Sequence, residues 1–238
     1  MPQRVFGWIL FEVLVALCLT TVILMGIWRI VPSLQQACHT VAAYADLLQR
    51  QGTVTHVLRD ALLTTGDMRC LSGKIADVVQ TEVVRSYSVT EARAVGLAHN
   101  AVSGTNLFSV QGCRDGRWVE TLYFIGRTHR VFQGEPILSL YRQVVGERAE
   151  EWVEDVLNLQ VRYGIVVGVE KAIHHYANRV PLRAGVHVGS VWLEWLLVSH
   201  LATVRYGQQQ YEFGGRHYAT HGWFFVPGAL YVAIQKKS

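Results

Sequence analysis

Signatures of catalysis are missing from this chain. It has no glycine-rich phosphate loop, no serine nucleophile elbow and no helix with paired histidines, so nucleotide, acyl-transfer and zinc-hydrolase chemistry have no motif to rest on. No enzymatic activity, catalytic residue, cofactor or metal site is expected. Charge is also scarce, at 17% of residues against 50% hydrophobic. The formal net charge of +4 comes from basic residues scattered among acidic ones. That pattern excludes the continuous basic surface a nucleic acid requires, so no nucleic acid partner is expected. Internal repeats, long linkers and low-complexity tracts are absent too, leaving room for one membrane helix and one sizeable domain in 238 residues.

Histidine and acid clusters do not change this. His174, His175, His187, His217 and His221 lack companion cysteines at zinc-ligand spacing. Glu147, Glu150, Glu151, Glu154 and Asp155 offer oxygens to a hard cation but lack the order of a calcium loop, and they read as a solvated face.

What the sequence has is a long apolar run from Gly7 to Val31. Past the glycine it holds about 24 residues, which at ~1.5 Å each span about 36 Å, enough to cross a bilayer. One acid, Glu12, lies near its start. A carboxylate in hydrocarbon costs several kcal/mol unless it is paired, so Glu12 is a candidate functional residue. The seven residues ahead of the run carry Arg4 and no acid. They are too short for a secretory signal with its own apolar core. Arg4 favours a cytoplasmic N-terminus, and Arg29 can snorkel to the far interface.

Gly7, Trp8 and Glu12 together resemble the leader and first helix of type IV prepilins and type II secretion pseudopilins. In those families a short leader ends in Gly, the mature chain begins with an aromatic residue, and Glu is its fifth residue. Trp8 stands where Phe is usual, and Ile9 where a small hydroxyl residue is usual. The resemblance implies cleavage by prepilin peptidase between Gly7 and Trp8, N-methylation of Trp8, and pairing of Glu12 with a neighbouring subunit during assembly. Residues 1–7 would be the leader, 8–31 the transmembrane part of the helix, 32–66 its periplasmic continuation and 67–238 a β-rich globular domain.

From Ser33 to Leu63 apolar residues keep helical spacing: Leu34, Cys38, Val41, Ala45, Leu48, then Val54, Leu58, Ala61 and Leu62. This stripe is expected to pack on the domain, burying Cys38 as a small hydrophobe. Gln35, Gln36, His39, Asp46, Gln49 and Arg50 form the polar face. Pro32 should kink the helix, Gly52 weaken it and Gly66 close it. Beyond Gly66 the pattern becomes strands. Leu159, Val161, Tyr163 and Ile165 alternate with Gln160, Arg162 and Gly164. Val119–Ile125, Ile137–Val145, Val191–His200 and Ala229–Gln235 are further strand candidates. The nearly continuous apolar character of Trp192, Trp195, Leu196 and Leu197 predicts a central strand covered on both faces. Turns are expected at Arg114-Asp115-Gly116, Gly134-Glu135-Pro136 and Phe213-Gly214-Gly215. The fold class is α+β, a long N-terminal helix packed on an antiparallel sheet, as in type IV pilins.

The resemblance narrows along the domain to PilW-type minor pilins. It is carried by Gln51-Gly52, Leu58-Arg59, Met68-Arg69-Cys70, Cys113, Leu122-Tyr123-Phe124-Ile125, Leu140-Tyr141-Arg142 and the stretch Val153–Gly164. It implies a structural subunit that helps initiate pilus assembly. Its partners would be prepilin peptidase, other minor pilins, the major pilin and the inner membrane. The domain would be periplasmic and later sit on the pilus at the cell surface. In that oxidising compartment Cys70 and Cys113 are expected to form a disulfide. Two alternatives share these features: a minor pseudopilin of the J type in type II secretion, and a pilus-tip adhesin or DNA-uptake module. The second needs an exposed aromatic or basic patch, for which Trp223-Phe224-Phe225 is the candidate.

Overall fold

The fold is α+β: a long apolar N-terminal helix followed by antiparallel β-sheets. A computed structural model describes residues 4–66, 70, 83–132, 134–168, 172–181, 185–199, 210–219 and 223–234, with residues 4–7 and 9 in backbone only. Helix α1 (Arg4–Leu63) runs without a break through Pro32 and Gly52. Pro32 removes one backbone donor from the helix but does not end it. The chain divides into two units, Met1–Ala43 and Tyr44–Ser238. The division falls inside the helix and not at residue 66, because Tyr44–Leu63 lends side chains to the core of the β-rich unit.

In the first unit the helix is uncovered from Leu10 to His39. Leu10, Phe11, Leu14, Leu17, Leu24, Trp28 and Ile30 are all exposed. Its few hydroxyls are satisfied within the helix: Thr20 donates to the carbonyl of Ala16, Thr21 to Cys18 and Ser33 to Ile30. That leaves no side-chain hydroxyl demanding water, which suits a helix in lipid.

In the second unit the strands are β1 (Val84–Tyr87), β2 (Leu107–Arg114), β3 (Arg117–Phe132), β4 (Glu135–Val144), β5 (Glu150–Glu154), β6 (Val156–Val167), β7 (His175–Ala177), β8 (Val186–Ser199), β9 (Gln210–Phe213), β10 (Arg216–Ala219) and β11 (Phe224–Ala233). They form a five-stranded sheet in the order β1-β2-β3-β4-β5, a four-stranded sheet β11-β8-β6-β7 and the small hairpin β9-β10. All the pairings are antiparallel. The five sequence-predicted strands lie within or overlap β3, β4, β6, β8 and β11. Asp115-Gly116 and Gly214-Gly215 take positive φ at both central positions of two-residue turns, the geometry that suits the twist of a tight hairpin.

One core joins helix and sheets. Leu47, Val54, Leu58, Ala61 and Leu62 of α1 cluster with Phe108, Tyr123, Ile125 and Leu140 of the first sheet and with Leu159, Tyr163, Leu193 and Trp195 of the second. The opposite face of the first sheet is closed by a short helix α2 (Val89–Ala94) and the turn after it. There Val89, Ala92, Leu97 and Ala98 pack on Leu122, Phe124 and Tyr141. Coverage on both faces explains why Thr121–Gly126 of β3 is buried without alternation. β8 is likewise an inner strand, with Trp195 to Ser199 all buried.

The helix stripe needs correction. Leu34, Cys38, Val41, Ala45 and Leu48 are exposed, and Cys38 is a free exposed thiol and not a core residue. Before Gly52 the packed residues are Ala43 and Leu47, and Leu47 lies about 100° around the helix from the expected Leu48. Val54, Leu58, Ala61 and Leu62 are buried as expected.

Candidate functional site

The candidate assembly residues lie on the uncovered helix. Gly7 and Trp8 sit in helical backbone, and the Trp8 side chain is 78% exposed. Glu12 is exposed one turn further on and has no hydrogen-bond or ion-pair partner among the described residues. The only other charge between residues 8 and 31 is Arg29. It lies 29 − 12 = 17 positions away, about 25 Å along the axis, so the two cannot neutralise each other. The helix therefore carries an apolar surface on every side and one carboxylate that no described residue pairs. A helix apolar all round belongs in lipid or in the middle of other helices. Among the described residues it is the one helix long and apolar enough to cross a membrane.

The lower end of α1 is clamped to the sheets. Gly66, at φ 73°, follows the helix, and its N–H donates to the carbonyl of Gln111 at 2.9 Å. Gly112 lies so close to the Thr64 carbonyl that a Cβ there would approach it to 2.7 Å. Cys70 and Cys113 are joined as a disulfide, with their Cα atoms 5.6 Å apart. Met68 and Arg69 lie outside the described residues.

A second clamp was not legible in the sequence. Arg50, assigned to the polar face, donates to both Asp46, at 2.9 Å, and Asp155 at the corner between β5 and β6. Asp155 is buried with φ 63°, and its carbonyl accepts from the N–H of Val198. Three more of the acidic group are paired, and Glu147 is exposed. Glu150 meets Arg142, while Glu151 and Glu154 share Arg130. Hydrogen bonding from Arg142 holds the Glu150 carboxyl below the usual range. These carboxylates are spread among separate arginines and do not converge on one ion. Among the described residues no group of three or more His, Cys, Asp or Glu side chains could hold a metal. His174, His175, His187 and His217 lie in or beside β7, β8 and β10, and His221 lies outside the described residues.

Trp223, Phe224 and Phe225 are half-buried, not presented to solvent. Phe225 stacks on Tyr211 at 5.6 Å and touches Tyr218, while Trp223 meets Phe132. Among the described residues of the sheets the exposed rings are elsewhere, at Trp152, Tyr176, Trp192 and Tyr231. Their sequence signal is the outward half of the strand alternation, where Arg162 and Trp192 face each other across β6 and β8.

No family model matches the chain, and no curated protein or solved structure matches it. The functional reading therefore rests on the chain's own residues.

Proposed function

We propose that the chain is a PilW-like minor pilin, a membrane-anchored structural subunit that helps start type IV pilus assembly. On this reading prepilin peptidase cuts between Gly7 and Trp8, and the new Trp8 amine is methylated. The observation that carries it is Glu12: a carboxylate without a partner among the described residues, near the head of a helix whose apolar residues from Leu10 to Val31 are exposed on all sides.

Hydrocarbon solvates a carboxylate poorly, so Glu12 is destabilising there until a positive group meets it. Cleavage after Gly7 creates such a group on every copy, the Trp8 amine. Attraction between the amine of one subunit and Glu12 of the next is strong where the dielectric is low, and a misregistered pair would leave both charges unpaired. The pair thus selects axial register, while packing against other helices replaces lipid around the apolar surface. The exposed stripe Leu34, Cys38, Val41, Ala45 and Leu48 extends that contact face below the membrane-length stretch.

Replacing Glu12 with Ala tests the reading. The Glu12→Ala chain should enter the membrane in wild-type amounts, because a fully apolar helix suits lipid, yet support far fewer pili. Wild-type piliation with Glu12→Ala would overturn the role given to the carboxylate.

A further inference from the structure

The four-stranded sheet turns one face to the core and one outward. On the outward face Tyr176 stands opposite Gly164, Arg162 opposite Trp192, and Trp192 opposite Tyr231. Both ends of this face are covered by the chain itself. At one end lies the β9-β10 hairpin, where Asn158 donates to the Tyr218 hydroxyl at 2.8 Å. Gly214 there packs on the Gln160 side chain, where a Cβ would stand 2.6 Å from the amide nitrogen. Leu196 and Val198 are fully buried in this half of the sheet. At the other end Ile173 lies over Gly164.

Between the two covers the face is open. Tyr176, Trp192 and Tyr231 are 43%, 37% and 53% exposed. They cross four strands, a strip about 14 Å long at ~4.8 Å per strand spacing. Tyr176 meets Trp192 edge-on at 6.2 Å, and the Arg162 guanidinium stands 5.5 Å from the centre of the Trp192 ring. Glu194 binds that guanidinium at 3.0 Å.

The chemistry of the strip selects its occupant. Among the described residues of the strip the two charges, Arg162 and Glu194, cancel, so these side chains do not draw in a nucleic acid or an anionic lipid surface. What remains is a row of flat rings beside a planar guanidinium and a planar carboxylate. Rings of this kind stack on the C–H faces of a sugar, and the planar groups donate to and accept from its neighbouring hydroxyls. An uncharged, hydroxyl-rich ligand with flat apolar faces matches both features and the strip's neutrality. We infer that the strip of Tyr176, Trp192 and Tyr231, with Arg162 and Glu194, binds a neutral oligosaccharide. The inference stands on the β-rich unit alone and is independent of the assembly reading. A Glu12→Ala chain should bind sugar as wild type does, and a Trp192→Ala chain should still be trimmed and methylated.

The test uses the full chain in a detergent without a sugar headgroup. It is passed over surfaces bearing neutral trisaccharides of glucose, galactose or N-acetylglucosamine, with dextran sulfate and oligothymidylate surfaces alongside. At least one neutral surface should retain it. Trp192→Ala and Tyr231→Ala should each weaken that binding at least about tenfold, the effect of removing a central aromatic anchor. Trp152→Ala, which removes an exposed indole from the other sheet, should leave it unchanged, with circular dichroism reporting an intact fold in all three. Four results would overturn the inference: no retention on any neutral surface, retention on the anionic surfaces alone, equal binding by Trp192→Ala, or self-association that Trp192→Ala abolishes without sugar binding.

Discussion

Arg50 of the long helix and Asp155 of the β5–β6 corner form an ion pair across 105 positions of sequence, with side chains 24% and 7% exposed. Arg50 is also held by Asp46 one turn earlier, so the guanidinium is fixed before it reaches the sheet. Asp155 occupies a left-handed backbone position that non-glycine residues seldom take, and the pair helps offset that strain. A double-mutant cycle with Arg50→Met and Asp155→Asn should give a coupling of about 1–3 kcal/mol, as expected for a mostly buried pair. The more exposed pair Arg130–Glu154 should give no more than about 1 kcal/mol. Equal couplings would mean that burial does not set the strength of the helix clamp.

The disulfide between Cys70 and Cys113 closes a loop with a sequence separation of 43. In the chain-entropy account a loop of that length contributes about 4 kcal/mol. Denaturant unfolding of the full chain with and without reductant should show a loss of that order. A reduced protein with an unchanged midpoint would show that the α1–β2 hydrogen bonds hold the region by themselves.

Which parts of the fold could be read in the sequence follows from range. The period of two in Leu159–Ile165 and the apolar run at Trp192–Leu197 are local signals, and both are strands, although the second is covered on both faces only from Trp195 onward and Trp192 is exposed. Strands β1, β5, β7, β9 and β10 are 3–5 residues long, too short to show a period. Helix α2 is set by a capping box. The Ser88 hydroxyl accepts from the Glu91 N–H, and the Glu91 carboxylate accepts from the Ser88 N–H. That Ser-x-x-Glu pattern is a local signal, but six helical residues carry too little apolar period to mark a helix beside it. The helix face failed for a different reason. Leu47 and Leu48 each continue an apolar seam at three-and-four spacing, and only the sheets decide which is buried. Arg50 shows the same limit, because an arginine on a helix reads as solvent-facing until its distant partner is known. The open strip at Trp192 was missed because a tryptophan in an apolar strand reads as core.

Buried phenols give the domain a pH signature. Burial pushes the hydroxyl of Tyr123 up from 10.0 to about 12, and burial also raises that of Tyr163 strongly. Their folded values exceed the unfolded ones, so their stabilising contribution is complete below about 10 and is lost as pH rises through the folded values. In an ultraviolet titration of the ten tyrosines, a fraction should therefore stay neutral until the protein unfolds in strong alkali. Ionisation of all ten in one step near pH 10 would contradict the buried placement of these two.

Intact mass with N-terminal fragmentation of the protein from native membranes reads the first residues of the mature chain, on which the pairing of Glu12 depends. The account predicts a chain that starts at Trp8, lacks residues 1–7 and carries one extra methyl group on its amine. A population that begins only at Met1 would contradict it, since no new amine would then exist for Glu12 to meet.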